Sequence, residues 1–234
     1  MKRKFLVIIL FVISSATILS AQKKNPYNLD IVNSVLYYKQ LVKENPDNEL
    51  IDLQKFVPNI KLDVRYATSH NFTGKPIYTH PRAFLRKPAA EKLLAVQKEL
   101  NAKGLGLVIW DAYRPYAGTL RFFEVCPDST FCASPATGSI HNRGCAVDLT
   151  VCDLNTGKYL DMGTDFDSFS DSAFRAFKGL TPTQLANRKM FEDVMVKHGF
   201  KPLSSEWWHY DLLENKKYPV TDLSFEELEE LEND

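Results

Sequence analysis

The fold of this chain is decided by one stretch, which reads Ser139-Ile140-His141-Asn142-Arg143-Gly144-Cys145-Ala146-Val147-Asp148-Leu149-Thr150-Val151. Its second half, from Ala146 to Val151, predicts a buried strand because it is short, apolar and rich in β-branched residues. Gly144 and those β-branched residues oppose a helix, so we expect His141 to lie in a turn that folds back over the start of the strand. Asp148 stands out, because a carboxylate in an apolar strand costs free energy unless it is paired or bound to a metal.

Two interpretations of Asp148 are open from the residues alone. One is a buried ion pair with Arg114 or Arg143. The other is a metal site, since catalytic zinc takes three protein ligands from His, Asp or Glu and leaves one position for water. The metal lowers the pKa of that water, and a nearby carboxylate takes its proton. A lone histidine is weak evidence for such a site, but His141 lies seven residues before Asp148 in the same segment.

A second segment, Glu206-Trp207-Trp208-His209, contains another histidine beside a carboxylate. Glu206 and His209 are three residues apart and would point to opposite faces of a regular strand. If both serve one metal, Glu206 must therefore precede the regular strand or lie at a bulge. The two tryptophans are equally consistent with a role in the core alone.

Working outward, helical and extended patterns follow each other without strict alternation. Helices are predicted over 88–103, 116–124 and 182–198, strands over 105–110 and 146–151, extended structure over 51–66 and 200–212, and a loop over 67–83. The acidic tail carries Phe225, Leu228 and Leu231 at helical spacing, which predicts a docked or fraying terminal helix. This mixture predicts an α+β domain with a central antiparallel sheet flanked by helices.

Composition favours a soluble globular protein. The chain has 234 residues, of which 44% are hydrophobic and 25% charged, values typical of a domain with its own core. The formal net charge is zero, so nothing indicates nucleic acid as a partner. The sequence gives no indication of the oligomeric state.

The N-terminus has the layout of a secretory signal peptide over residues 1–21, with basic residues first, then an apolar run, then small residues. We expect export to the periplasm or the extracellular space, and no stable membrane anchor after cleavage; an uncleaved anchor is the alternative. Residues 22–50 are interpreted as an N-terminal helical arm, and residues 51–234 as one catalytic domain.

Four cysteines remain at positions 126, 132, 145 and 152. Export permits disulfides, and four cysteines allow three complete pairings. Cys126 and Cys132 bracket a short loop and are the favoured pair. A zinc cluster of cysteines is a weaker alternative, because the sequence has no close C-x-x-C pair.

The segments around His141 and His209 together resemble the metal signature of the D-alanyl-D-alanine dipeptidase family, S-x-H-x-x-G-x-A-x-D followed by E-x-W-H. This sequence carries it at Ser139, His141, Gly144, Ala146, Asp148, Glu206, Trp208 and His209. Further blocks resemble family segments in the same order: Tyr66-Ala67-Thr68 with Asn71-Phe72-Thr73-Gly74, Trp110-Asp111-Ala112-Tyr113-Arg114-Pro115, and Met162-Gly163 with Phe166-Asp167. The resemblance spans about residues 51 to 212 and implies the zinc DD-peptidase fold, which is hedgehog-like.

The resemblance also implies roles for individual residues. His141, Asp148 and His209 match the ligands of one zinc ion per chain, Glu206 matches the general base, and Arg114 matches the residue that stabilises the oxyanion. Asp167 matches the carboxylate that receives the ammonium group of a small D-amino-acid dipeptide, and Tyr66 and Ser139 are expected to line the same pocket. The segment between Arg114 and His141 is shorter than in some family members, which leaves the breadth of substrates open.

The implied activity is zinc-dependent hydrolysis of D-alanyl-D-alanine-type dipeptides, for example fragments of cell-wall peptidoglycan. A zinc D,D- or L,D-carboxypeptidase acting on peptidoglycan stem peptides is the alternative within the superfamily. A binding module that keeps the fold without catalysis is a third possibility, which the presence of Glu206 opposes.

Overall fold

A computed structural model of the chain describes residues 25–127 and 132–233, so the predicted signal peptide lies outside the described residues. The strands described are β1 (Ile31–Val32), β2 (Leu50–Asp52), β3 (Lys61–Leu62), β4 (Phe84–Arg86), β5 (Leu105–Asp111), β6 (Ala146–Asp153), β7 (Phe200–Pro202), β8 (His209–Leu212) and β9 (Val220–Thr221). The helices described are α1 (Val35–Glu44), α2 (Leu53–Phe56), α3 (Lys87–Asn101), α4 (Tyr116–Val125), α5 (Pro182–Lys197) and α6 (Phe225–Leu231). The mixture confirms the predicted α+β class.

A five-stranded sheet in the order β3-β5-β6-β8-β7 forms the centre of the molecule. Its pairs are antiparallel as predicted, except that β3 runs parallel to β5 at one edge. Helix α3 packs against β5, and α5 packs against β7. The strands β5 and β6 are buried along almost their whole length, which explains why both are rich in apolar residues.

Capping residues fix the ends of two helices that the sequence predicts. At the start of α5, Gln184 N donates to Thr181 Oγ1 (3.2 Å), and Thr181 N donates to Gln184 Oε1 (2.9 Å), which is a complete capping box. Helix α6 begins with the same device from Ser224 and Glu227. Phe225 and Leu228 of α6 are buried in the core, so the terminal helix is docked rather than frayed.

Two stretches predicted as extended are only partly so. Residues 53–56 form the short helix α2, capped by the Asp52 side chain, and residues 65–67 form a turn of 3₁₀ helix. Residues 203–208 form turns between β7 and β8. Short apolar alternations fit both strands and single helical turns, so periodicity alone could not separate them.

The segment before residue 50 contains the predicted leading helix, α1, and contacts the rest of the protein. Strand β1 pairs with β9 in parallel, and the buried Tyr38 hydroxyl accepts a 2.7 Å hydrogen bond from Leu50 N. Tyr38 and Val32 belong to the same apolar core as the central sheet. The division of the chain at residue 50 stays a prediction.

The four cysteines are free thiols, so the favoured Cys126–Cys132 disulfide is not formed here. The two side chains are nevertheless hydrogen-bonded to each other, and burial together with this neighbour raises the pKa of Cys132 to about 12. In the part of the chain that the structure describes, none of the helices has the length and apolarity needed to cross a membrane.

Candidate active site

Strand register brings two of the predicted site residues, Asp148 and His209, into one row across the sheet together with Asp111. Asp111 of β5 pairs with Asp148 of β6, and Asp148 pairs with His209 of β8. Directly opposed residues on antiparallel strands have neighbouring side chains. The register therefore explains why residues far apart in sequence meet at one place.

His141, the third candidate metal ligand, reaches this row from a turn, as predicted. It begins a short 3₁₀ helix over His141–Arg143, which ends at Gly144 with a φ of 65°. The Gly144 N–H donates to the His141 carbonyl oxygen (2.9 Å). Glycine is favoured at this position because it has no β-carbon and adopts the left-handed backbone conformation without a steric cost. The turn folds His141 back over the start of β6.

The side chains of His141, Asp148 and His209 form a compact set of possible metal ligands. His141 Nε2 lies 3.3 Å from His209 Nδ1 and 3.3 Å from Asp148 Oδ2, and His209 Nδ1 lies 2.9 Å from Asp148 Oδ1. Nitrogen and oxygen ligands about 2.0–2.2 Å from a tetrahedral zinc ion lie roughly 3.3 Å apart. Across residues 25–127 and 132–233, no other group of three His, Cys, Asp or Glu residues comes this close together, and the cysteines form no such cluster.

Hydrogen bonds on the outer side of both imidazoles show that the set is suited to a cation. His141 Nδ1 lies 2.7 Å from the Ala112 carbonyl oxygen, and His209 Nε2 lies 2.9 Å from Asp211 Oδ1. Each outer nitrogen must donate to these acceptors, which leaves the two inner nitrogens as acceptors facing each other and a carboxylate. Three buried acceptors around one point need a cation, and zinc fits the donor types and their spacing.

The carboxylates around His209 also favour positive charge at this place. Burial acts to lower the pKa of His209, but Asp148 and Asp211 outweigh it and raise the pKa to about 10. For Asp148, the two imidazoles outweigh burial and hold its pKa below the usual range.

Asp211 orients His209, and its removal should weaken metal binding. We expect the Asp211→Ala variant to bind zinc about 10- to 100-fold more weakly, because the imidazole loses the acceptor that fixes its tautomer and direction. The matched Asp211→Asn variant keeps an acceptor oxygen and should retain most of the affinity. Competition with a chromogenic chelator measures both constants; wild-type affinity in Asp211→Ala would show that Asp211 has no positioning role.

Glu206 lies beside this set of possible metal ligands, in the turn that precedes β8. Its Oε2 is 3.8 Å from His209 Nδ1, and its side chain is 33% exposed. The predicted requirement that Glu206 precede the regular strand is confirmed, because β8 begins at His209. Burial raises the pKa of the Glu206 carboxyl; His209 acts in the opposite direction and Asp148 adds to the rise.

Arg114 is held by an acidic partner that is not Asp148. Its Nε and Nη2 donate to Asp111 Oδ2 (3.1 and 2.8 Å), while Arg143 donates to the Tyr218 carbonyl oxygen. The alternative of a buried ion pair between Asp148 and one of these arginines is therefore wrong. Burial acts to lower the pKa of Arg114, but Asp111 and its neighbours raise it, so the guanidinium keeps its charge.

One cavity of about 480 Å³ joins all the other predicted site residues. Its lining includes Glu206, Arg114, Ser139, Tyr66 and Asp167. The Tyr66 hydroxyl donates a 2.8 Å hydrogen bond to Asp167 Oδ2. Burial, with Asp148 and Glu206, raises the pKa of Asp167 well above its usual range against the effect of that hydrogen bond.

Two contributors to the site are absent from the sequence prediction, Asp111 and Asp211. Asp111 lies inside the quoted 110–115 block, and its Oδ1 also accepts a 2.8 Å hydrogen bond from the buried Tyr78 hydroxyl. Asp211 lies two residues after His209, so both side chains occupy the same face of β8. This His-x-Asp spacing on a strand was the available signal for Asp211.

Comparison with known proteins identifies the family. A family model described as D-Ala-D-Ala dipeptidase matches residues 46–227. The D-alanyl-D-alanine dipeptidase of Escherichia coli is 37% identical over 172 residues, covering 74% of this chain and 89% of that protein. The enzymes of the same name from Enterococcus faecium and Enterococcus faecalis are 33% and 31% identical, over 74% and 76% of this chain and 95% and 98% of their own lengths. The chain therefore belongs to the D-Ala-D-Ala dipeptidase family of zinc metallopeptidases.

Proposed function

We propose that this protein hydrolyses D-alanyl-D-alanine-type dipeptides, using one zinc ion held by His141, Asp148 and His209. The names of its relatives support the substrate class. The observation that carries the proposal is the contact between this buried ligand set and Glu206, which lines a cavity whose wall also contains Asp167. A single cavity thus offers groups for the amide and for a charged end of the substrate.

The residues of the chain supply the proton transfers. Bound zinc would polarise the scissile carbonyl and lower the pKa of the attacking water. Glu206 takes a proton from that water and later delivers a proton to the leaving amine, so that water is added across the amide bond. Burial raises the pKa of the Glu206 carboxyl, which favours its return of the proton to the leaving amine.

Arg114 is positioned to stabilise negative charge on the carbonyl oxygen. Asp111 fixes the guanidinium, which also packs over the Phe122 ring at 4.5 Å and lines the cavity. A preorganised cation acts mainly on the transition state, because it pays no reorganisation cost when the charge develops.

Asp167 accounts for the preference for a dipeptide over a longer chain. A buried carboxylate pairs with the free ammonium group of a dipeptide, whereas the amide nitrogen of a longer peptide carries no charge at this position. The hydrogen bond from Tyr66 orients the carboxylate toward the cavity that both residues line.

The Asp167→Asn variant should lose substrate affinity. Asparagine keeps an oxygen to accept from Tyr66 and tolerates the left-handed backbone found here, with a φ of 55°, but it cannot neutralise an ammonium group. We expect KM for D-Ala-D-Ala to rise roughly 10- to 100-fold with zinc content unchanged. Initial-rate kinetics with metal analysis test this; an unchanged KM would move the ammonium site elsewhere.

The Asp167→Asn variant should also be more stable to unfolding than the wild type at pH values above about 4. Because the folded-state pKa of Asp167 is raised, the native state binds more protons than the unfolded state once pH exceeds about 3.9. Wild-type stability therefore falls as pH rises from there toward the folded pKa, and Asn removes that loss. The difference in melting temperature should be near zero at pH 4 and grow in favour of Asp167→Asn as pH increases.

Substrate comparison tests the proposed function against the carboxypeptidase alternative. The zinc-loaded mature protein should cleave D-Ala-D-Ala, leave L-Ala-L-Ala intact, and act poorly on N-acetyl-D-Ala-D-Ala and on a peptidoglycan stem pentapeptide. Efficient release of D-Ala from the stem pentapeptide, with little action on the free dipeptide, would favour a carboxypeptidase instead.

We further propose that the mature enzyme acts outside the cytoplasm on fragments released by cell-wall turnover. Support comes from the signal-peptide layout of residues 1–21. N-terminal sequencing of the protein recovered from the exported fraction tests this; an intact Met1 in the soluble cytoplasmic fraction would contradict it.

A further inference from the structure

The backbone at Asp167 adopts a conformation that the rest of the structure has to maintain. Its φ is 55°, in the left-handed region that residues other than glycine rarely adopt. Such a conformation costs free energy and persists only where surrounding contacts fix it. On the side-chain oxygen, the Tyr66 hydroxyl donates a 2.8 Å hydrogen bond. The contacts of the segment around Asp167 therefore decide how its carboxylate is presented to a ligand.

Arg65 holds this segment two residues before Asp167. Its Nη1 and Nη2 atoms donate to Asp165 Oδ2 (3.4 Å) and Oδ1 (3.3 Å), so the guanidinium and the carboxylate face each other through two bonds. Asp165 Oδ1 also accepts a 2.8 Å hydrogen bond from the Phe166 N–H. The guanidinium therefore restrains the Asp165 side chain and, through it, the backbone that leads to Asp167.

Arg65 is itself fixed by other contacts. The residue is only 6% exposed, its Nε donates a 2.6 Å hydrogen bond to Asp63 Oδ2, and its Cζ lies 5.5 Å from the centre of the Trp110 ring. Asp63 is in turn tied to β5, because its N–H donates to the Ile109 carbonyl oxygen (2.9 Å). An exposed ion pair usually adds little to stability, but a guanidinium that is already immobile can set the direction of its partner.

One short turn supplies contacts to both ends of the segment. Arg65 and Tyr66 are neighbours in the 3₁₀ turn at residues 65–67. Arg65 binds Asp165, and Tyr66 binds Asp167. Among the described residues, Tyr66 and Asp167 line the cavity, whereas Arg65 and Asp165 do not. Arg65 can therefore affect a ligand in the cavity only through the segment that it holds.

We infer that Arg65 is a positioning residue for substrate binding, and that its ion pair with Asp165 keeps the Asp167 carboxylate directed at the ammonium group of the dipeptide. The inference rests on the proposed function, because it takes Asp167 as the anchor of that ammonium group. The attraction between two charges depends on their separation, so a carboxylate that is free to turn away binds the ammonium group more weakly. The candidate metal ligands and Glu206 belong to other segments of the chain, so the loss falls on binding rather than on the chemical step.

The Asp165→Asn variant removes the ion pair at its exposed end. The Asp165 side chain is 57% exposed, so the change should not disturb the core, and asparagine keeps an oxygen that accepts from the Phe166 N–H. We expect KM for D-Ala-D-Ala to rise roughly five- to tenfold, with kcat and zinc content little changed. The matched control is Asp193→Asn, because Asp193 is similarly exposed (61%) and pairs with Lys189 on α5, outside the cavity lining; its KM should equal that of the wild type.

Substitution of Arg65 should give a graded response. Arg65→Gln removes the charge, and we expect KM to rise by about the same factor as in Asp165→Asn. Arg65→Lys keeps a charge, but a single ammonium group cannot form the two parallel bonds that the guanidinium makes. Its KM should therefore lie between those of the wild type and Arg65→Gln. Melting temperature and zinc content verify that each variant is folded.

A double variant distinguishes positioning of the carboxylate from general support of the fold. If Arg65 acts through Asp167, Arg65→Gln should raise KM by less than about twofold in a protein that already carries Asp167→Asn, because the two residues then belong to one coupled unit. An arginine that only stabilises the fold would raise KM by the same factor in both backgrounds.

The outcomes separate this inference from the proposed function. An unchanged KM in Asp165→Asn or in Arg65→Gln, or equal factors in the two backgrounds, would overturn the inference and leave the proposed function in place. An unchanged KM in Asp167→Asn would overturn the assignment of Asp167 and the inference with it. Failure of the zinc-loaded wild type to cleave D-Ala-D-Ala would overturn the proposed function and the inference together.

Discussion

The Glu206→Gln variant should bind one zinc ion per chain and hydrolyse D-Ala-D-Ala about a thousandfold more slowly than the wild type, within the range for loss of a general base. Glutamine has nearly the shape of glutamate, so the turn before β8 and the cavity wall should be preserved. It cannot accept the proton of the attacking water. Because the Glu206 carboxylate lies next to the ligand set rather than within its closest contacts, metal binding should persist.

Three measurements on Glu206→Gln separate chemistry from folding. Metal analysis should give wild-type zinc content, KM should change little, and kcat should carry the loss. The control is Glu99→Gln, since Glu99 pairs with Lys197 and His198 on the helices and does not line the cavity. A zinc-loaded Glu206→Gln protein with kcat within about tenfold of wild type would assign the proton transfer to another group.

The sequence predicts the elements of this fold better than it predicts their pairing. Strand β6 and helix α5 follow from local signals, an apolar β-branched run and a capping box. The parallel edge strand β3 has only two residues, and so short a segment carries no pattern that specifies its partner. The short helix α2 was missed for a related reason, because four residues with mixed polarity fit several conformations.

In the candidate site, too, features set by neighbouring residues could be predicted from the sequence, whereas contacts between distant segments could not. The turn at His141 and the position of Glu206 before a strand could be derived from neighbouring residues. The pairing of Asp148 with His209 could not, because register between strands 61 residues apart depends on the packing of the whole sheet. Only the resemblance to a known family joined the two segments before the structure did.

Asp211 shows that a residue which orients a candidate metal ligand can escape prediction when only the ligands themselves are sought. Asp211 lies two residues after His209 on the same face of β8 and accepts a hydrogen bond from it. It nevertheless belongs to none of the motifs quoted for the family. Carboxylates that hold a ligating histidine from behind decide which ring nitrogen is free for the metal. Acidic residues two positions from a histidine on a strand are therefore worth testing as partners whenever a metal site is suspected.

The His209→Ala variant should lose both the metal and the activity. It removes one of the three proposed ligand atoms and leaves the nearly buried Asp211 carboxylate without the imidazole that it now holds. Loss of an outer partner alone weakens a metal site about 10- to 100-fold, so loss of a direct ligand should weaken it further. Without the metal, D-Ala-D-Ala hydrolysis should fall by more than about a thousandfold, since a Lewis acid contributes several kcal/mol to such a barrier.

Thermal unfolding with and without added zinc gives a readout of His209→Ala that does not depend on catalysis. A ligand that binds only the folded state raises the melting temperature by mass action, so zinc should stabilise the chelator-treated wild type and leave the variant unchanged. The control is His198→Ala, because His198, which follows α5, hydrogen-bonds Glu99 of α3 at 2.8 Å and should not affect zinc binding. If zinc raised the melting temperature of His209→Ala as much as that of the wild type, the three-residue ligand set would be wrong, and with it the proposed role of Glu206 as the base beside the metal.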